Sequence, residues 1–141
     1  PIDMNLTFNI ISAFLIFALS IQVDSNQAEK NSVAVAKLTF ETDTIDYGTI
    51  EQNADGKRVF KFTNDGDAPL VITNVRPSCG CTVANYTKEP IQPGESGQIE
   101  VGYDTKRLGA FNKSITVTSN AEESRKILRI KGVVVAKEDN K

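Results

Sequence analysis

From residue 37 onward, apolar and polar residues alternate in short runs, and no run keeps a helical period for three turns. Period-two alternation sends successive side chains to opposite faces of a strand. Leu38-Thr39-Phe40 opens the series. Ile45-Asp46-Tyr47-Gly48-Thr49-Ile50 follows, and the glycine inside it predicts a bulge or a bend between sheets. Asn53-Ala54-Asp55-Gly56 reads as a turn, and residues 58–63 as a strand with Phe60 and Phe62 on one face. Asn64-Asp65-Gly66-Asp67 is a strong turn signal. Pro69 then precedes a strand over 70–75, which Arg76-Pro77-Ser78 ends because proline lacks the ladder donor. A short strand is expected over 82–86, and Ile91-Gln92-Pro93-Gly94-Glu95-Ser96-Gly97 is a loop. Ile99, Val101 and Tyr103 share a face of the strand at 98–103. Phe111, Ile115 and Val117 share another, which Lys113 interrupts, placing that lysine near an edge. Leu128, Ile130 and Val134 line up in a closing strand over 126–135.

About seven short strands separated by turns predict an all-β fold, an immunoglobulin-like antiparallel β-sandwich over residues 37–136. Antibody hallmarks are missing: there is no Trp, and two cysteines two positions apart cannot bridge two sheets. No internal repeat is visible, and the polar residues 137–141 read as a frayed tail.

The first part of the chain follows another pattern. Residues 6–23, LTFNIISAFLIFALSIQV, are apolar with scattered small polar residues, and the uninterrupted apolar core is residues 13–19. A membrane-spanning helix needs about 20 mostly apolar residues, whereas a secretory signal needs about 7–15 before a small-residue cleavage site. Residues 1–23 therefore fit a signal peptide better than a retained anchor, with Ala18-Leu19-Ser20 a candidate cleavage region. Two features depart from the signal pattern: no Lys or Arg precedes Lys30, and Asp3 lies near the start, with Met4 the candidate initiator. No cysteine lies near the cleavage region to carry a lipid. Residues 24–36, polar and small, read as a linker. The expected location is outside the cytoplasm: periplasmic, cell-surface or extracellular.

Composition narrows the chemistry. The 141 residues suffice for one domain. Sixteen basic and 18 acidic residues leave a net charge of −2, so nothing electrostatic points to nucleic acid. There is no His, which removes the commonest general base and the commonest metal ligand. Without His no Ser-His-Asp nucleophile can be built, and no residue set for an enzyme can be named.

One element carries unusual chemistry, Cys79-Gly80-Cys81. In an extended strand both thiols point to one face, and four readings stay open. The first is a local disulfide: extended geometry puts the Cα atoms about 6.5–7 Å apart, near the usual bridging limit of about 6.8 Å, and Gly80 can bend the backbone to close the gap. The second is simple packing of two small buried thiols. The third is metal: zinc wants four ligands, which this chain does not offer, but two thiolates suit Cu(I). The fourth is thiol exchange with a partner, which would need a nearby cation such as Arg76 or Lys88.

Other motifs read as structure. Asp46 before Tyr47-Gly48 pins a turn. Asn64-Asp65-Gly66-Asp67 resembles part of a calcium loop but lacks the later bidentate Glu. Gly102 and Gly109 sit in no strand–loop–helix unit. Asn85-Tyr86-Thr87 and Asn112-Lys113-Ser114 match the glycosylation acceptor pattern, which matters only in a host that glycosylates such sites.

Several segments together resemble a known family. They are Asp46-Tyr47-Gly48-Thr49-Ile50, Phe60-Lys61-Phe62-Thr63-Asn64-Asp65-Gly66, Pro69-Leu70-Val71-Ile72, Pro77-Ser78-Cys79-Gly80-Cys81-Thr82, Ile91-Gln92-Pro93-Gly94-Glu95 and Ser119-Asn120. The pattern is similar to the bacterial domain of unknown function fifteen-seventy-three, over residues 38–135. The resemblance implies a fold like hydin-like and sperm-protein-like immunoglobulin domains, in secreted or surface proteins, and brings no reaction with it. The expected function is a non-catalytic interaction module whose partner is a protein or a cell-envelope component, with no nucleic acid and no obligate cofactor. Membrane contact would come only through an uncleaved N-terminal segment. The alternative is a thiol-dependent function at Cys79 and Cys81, either Cu(I) binding or disulfide exchange.

Overall fold

The computed structural model describes residues 32–138, so the signal peptide of the sequence reading and most of its linker lie outside the described residues. Eight strands follow one another: β1 (Leu38–Phe40), β2 (Thr44–Glu51), β3 (Lys57–Asn64), β4 (Ile72–Pro77), β5 (Thr82–Tyr86), β6 (Ser96–Tyr103), β7 (Gly109–Ser119) and β8 (Arg125–Val135). Two four-stranded sheets form the sandwich, in the orders β1-β3-β6-β5 and β2-β8-β7-β4. The immunoglobulin-like sandwich is therefore present, with two corrections. The described residues form eight strands, and β2 pairs with β8 in parallel whereas the other strand pairs are antiparallel. Alternation reports which face a residue occupies and not which strand lies beside it, so a parallel pair between distant segments leaves no local trace.

The core is built from the inward face of each sheet. Phe60, Phe62, Ile99 and Val101 of the first sheet share one cluster with Ile115, Val117, Leu128 and Ile130 of the second, each at most 1% exposed. Burial of each such side chain is worth about 1.5–3 kcal/mol. An aromatic group adds to it: Tyr103 stacks on Phe111 at 3.8 Å between centroids, and Tyr47 meets Phe111 edge-on at 5.2 Å. The Tyr47 hydroxyl donates to the Gly56 carbonyl at 2.7 Å, and the Arg58 guanidinium lies over its ring at 4.2 Å. Burial pushes the Tyr47 phenol up to about 12, against the smaller pull of Arg58.

Gly48 does what its position in the alternation predicts. The β2–β8 register shifts between Asp46 and Thr49, and Gly48 sits there with φ of 65°, a conformation that costs glycine little. Asp46 pins the bulge by accepting the Gly48 N–H at 2.8 Å. Lys113 lies where β7 runs past β4, whose pairing stops at Pro77 opposite Ile115.

The folded region starts before the expected linker boundary at 36. Ala36 is 2% exposed and forms a parallel bridge with Ala121. The Val35 carbonyl accepts from Asp67 and Ala68, and its N–H donates to the Asp67 carboxylate at 2.7 Å. The turn that receives it is organised by Asn64, which is fully buried. The Asn64 amide donates to the carbonyls of Ala68 (2.8 Å) and Ile91 (2.9 Å), and its side-chain oxygen accepts from Gly66 (3.0 Å) and Lys37 (3.2 Å). A buried polar group is tolerated when every donor and acceptor is used in this way.

Candidate functional sites at the two flanks of the sandwich

Cys79 and Cys81 lie where the chain leaves the second sheet for the first. β4 is an edge of one sheet and β5 an edge of the other. Pro77 is the last residue of β4. The Ser78 N–H donates to the Ser114 carbonyl at 2.9 Å, and the Ser114 N–H returns a bond to the Ser78 hydroxyl, fastening the end of β4 to β7. A tight turn follows, closed by the Thr82 N–H on the Cys79 carbonyl at 3.3 Å. Within it Cys79 and Cys81 are joined as a disulfide, with Cα atoms 5.3 Å apart. A turn brings the Cα atoms closer than extended backbone allows, which is how two positions suffice for a bridge.

The two sulfurs have unequal surroundings. Cys81 is 6% exposed and belongs to the core, whereas Cys79 is half-buried and packs against the core from outside. The Cys81 carbonyl accepts the Asp104 N–H at 2.9 Å, tying the corner to the loop after β6. The Thr82 hydroxyl lies 3.8 Å from the Cys79 sulfur. A cavity of about 490 Å³ opens beside Gly80 and Cys81, bounded by Gly56, Lys57, Tyr103 and Lys106. Of the two cations considered from sequence, Arg76 is exposed on β4 opposite Thr116, and Lys88 lies 6.0 Å from the Tyr86 ring centroid. While the bridge is closed both sulfurs are bound to each other, so Cu(I) ligation requires reduction first. Among the described residues no group of three or more His, Cys, Asp or Glu is placed to hold a metal ion.

No sequence motif marks the opposite flank. The chain pairs in parallel at Ala36 with Ala121, ahead of β8, and again from Thr44 with Arg129 of β8, in the same register offset. Between these anchors residues 37–43 leave β8 and contribute β1 to the other sheet. A cleft of about 980 Å³ opens between them and residues 122–128. The Asp65 N–H donates to Lys37 and the Glu41 N–H to Lys61. By alternation, the backbone groups of Leu38 and Phe40 then point away from β3 and into the open edge. On β8, the Ser119 N–H bonds the Ser124 carbonyl and the Arg129 N–H bonds the Asp43 carbonyl. The same alternation turns the backbone of Ile127 toward the cleft, and Ile127 is half exposed. The rim carries Glu41, Asp43, Glu122 and Glu123 against Lys37 and Lys126, and Lys126 is paired with Glu123. An apolar Ile127 out of step with Leu128 and Ile130 could have marked it, but single apolar residues are common on surfaces and point nowhere by themselves.

Known proteins share this architecture. A protein of unknown function from Porphyromonas gingivalis W83 superposes with a TM-score of 0.60 at 18% identity, over 71% of this chain and 46% of that one. The ASH/PapD-like domain 7 of human CEP192 gives 0.57 at 10% identity, over 74% and 89%. A chain of the CsuC–CsuE chaperone–tip adhesion subunit pre-assembly complex from Acinetobacter baumannii gives 0.53 at 11% identity, over 70% and 57%. The chain thus spans less than half the length of the Porphyromonas protein. At these identities the likeness shows the fold alone. No curated protein matches the sequence. Residues 38–134, which include both the cysteine corner and the open flank, match the family described as Protein of unknown function (DUF1573), and the chain belongs to that family.

Proposed function

We propose that this domain is a non-catalytic binding module that works outside the cytoplasm and takes an extended protein segment along its open flank by strand addition. The observation that carries the reading is the cleft between residues 37–43 and 122–128, where unpaired backbone of β1 and β8 faces a gap. Exposed edge backbone is a ready template for another strand, and natural proteins usually cover or blunt it. Here the edge is bounded by four carboxylates and two lysines, one of them engaged by Glu123. That imbalance favours a segment bearing Lys or Arg. The absence of His supports a binding role over a catalytic one. The apolar N-terminal segment supports export. The Acinetobacter complex, a chaperone with a tip adhesion subunit, offers an analogy for a domain of this fold holding a protein.

Photo-crosslinking in the native cell tests the reading. A photoreactive amino acid at Ile127 or at Thr39 is expected to give discrete protein adducts, and one at Val59, exposed on the outer face of β3, none. Adducts only at Val59, or at none of the three, would overturn it.

A further inference from the structure

The bridge at the cysteine corner has little to do as a staple. It closes a loop of only three residues, Cys79 to Cys81, and the stabilisation from a cross-link grows with the length of chain it encloses. The corner is already held by the Thr82–Cys79, Asp104–Cys81 and Ser78–Ser114 hydrogen bonds. The sulfurs nevertheless differ in access, Cys79 half-buried at the surface and Cys81 in the core. We propose that the Cys79–Cys81 disulfide is a thiol–disulfide exchange site that oxidises a dithiol on a protein partner, with Cys79 the sulfur attacked and Cys81 the leaving thiolate.

One partner thiolate attacks the Cys79 sulfur along the S–S axis, forming a mixed disulfide while the Cys79–Cys81 bond breaks. The electron pair leaves on the Cys81 sulfur, which takes up a proton. The partner's second thiolate then attacks its own sulfur in the mixed disulfide and releases Cys79, which is protonated in turn. The partner loses two electrons and two protons, and the cysteine pair gains them. The cavity beside Gly80 and Cys81 is lined by Lys57 and Lys106 and by Asp55 and Asp104, equal numbers of basic and acidic side chains. The turn and the Asp104 bond keep Cys81 beside Cys79 after opening, so the bridge re-forms without refolding. This site shares no residue with the cleft, and its failure would leave the binding reading untouched.

The test uses the purified full chain in reduced and oxidised glutathione, with thiol alkylation and mass spectrometry. Reversible opening is expected while the β-sheet circular dichroism is retained. Cys81→Ser, which keeps Cys79, is expected to take up glutathione from its disulfide at least ten-fold faster than Cys79→Ser. The oxidised wild type should convert a bis-cysteine peptide to its disulfide, and the double variant should not. The proposal is overturned by a bridge that resists excess reduced glutathione in the native state or opens only on unfolding. Equal modification rates in the two single variants, or an unreacted peptide, overturn it as well. Reduced wild type keeps the test decisive if a variant misfolds.

Discussion

The two flanks of this sandwich solve the same problem in opposite ways. At each flank an edge strand of one sheet is followed directly by an edge strand of the other: β1 leads to β2 through residues 41–43, and β4 leads to β5 through residues 78–81. The second crossing is closed, with a disulfide, a hydrogen-bonded turn and a carbonyl tied to the loop after β6. The first is held at its ends, by Ala36 on Ala121 and by Thr44 on Arg129, and open between them. A sheet edge must be paired, covered or left available. In this chain one crossing carries covalent chemistry, and the other leaves a cleft between its anchors with no covalent chemistry.

That contrast can be broken experimentally, and the largest effect is expected at Asn64. Asn64→Ala removes four side-chain hydrogen bonds and takes the acceptor from the Lys37 and Gly66 N–H groups, while the Ile91 carbonyl keeps the Leu70 N–H. A loss of about 3 kcal/mol is expected in urea unfolding, since each unsatisfied buried group costs about 1–3 kcal/mol. Because Lys37 loses its anchor, hydrogen exchange should accelerate at the open flank first and at the cysteine corner last.

Removing the bridge should matter less. Chain-entropy arithmetic for a loop of about three residues gives about 1.6 kcal/mol, so the double Cys79→Ala, Cys81→Ala variant should lose no more than about 2 kcal/mol in the same assay. A cooperative transition at reduced midpoint is expected; complete unfolding at room temperature would show the closed flank to be the structural keystone.

Tyr47→Phe probes how firmly β2 holds the far side of the open flank. Loss of the bond to Gly56 should cost about 1 kcal/mol at neutral pH. The pH dependence has a definite sign. The Tyr47 phenol is raised from 10.0 to about 12 by burial, so native stability is intact below pH 10 and falls as pH rises toward 12, because the unfolded chain releases the proton first. Alkaline unfolding curves of Tyr47→Phe should fall less steeply over that interval.

The smallest effect on stability is expected at Ile127→Lys, within about 0.5 kcal/mol, because the side chain is exposed. Crosslinking from Thr39 should nevertheless fall sharply in this variant. Unchanged crosslinking would detach the binding reading from the cleft.

Much of this was legible in sequence, and the limits have physical reasons. Inward faces announced themselves: Phe60 with Phe62, and Ile99 with Val101, are all buried as their spacing predicts. Gly48 marked a bulge, and Lys113 marked the point where β7 outruns β4. Asn64 was read as one of several turn formers, because a short amide favours turns by local bonding. Its actual partners, Lys37 and Ile91, are 27 residues away in either direction, and no local pattern encodes them. The cleft escaped for the same reason, since it exists only between two segments whose parallel pairing is set by the whole fold. Cys79 and Cys81 stood out by residue type, but their unequal burial depends on a change of sheet that spacing alone does not reveal.

The matched offset of the two anchors has a metric consequence. Residues 37–43 and 122–128 contain equal numbers of positions between fixed ends. Only residues 125–128 of the second segment are extended, and at about 3.3 Å per residue they span roughly 13 Å along the strand direction. If the cleft takes a strand as proposed, about four extended residues match that stretch, and a longer segment must turn away beyond it.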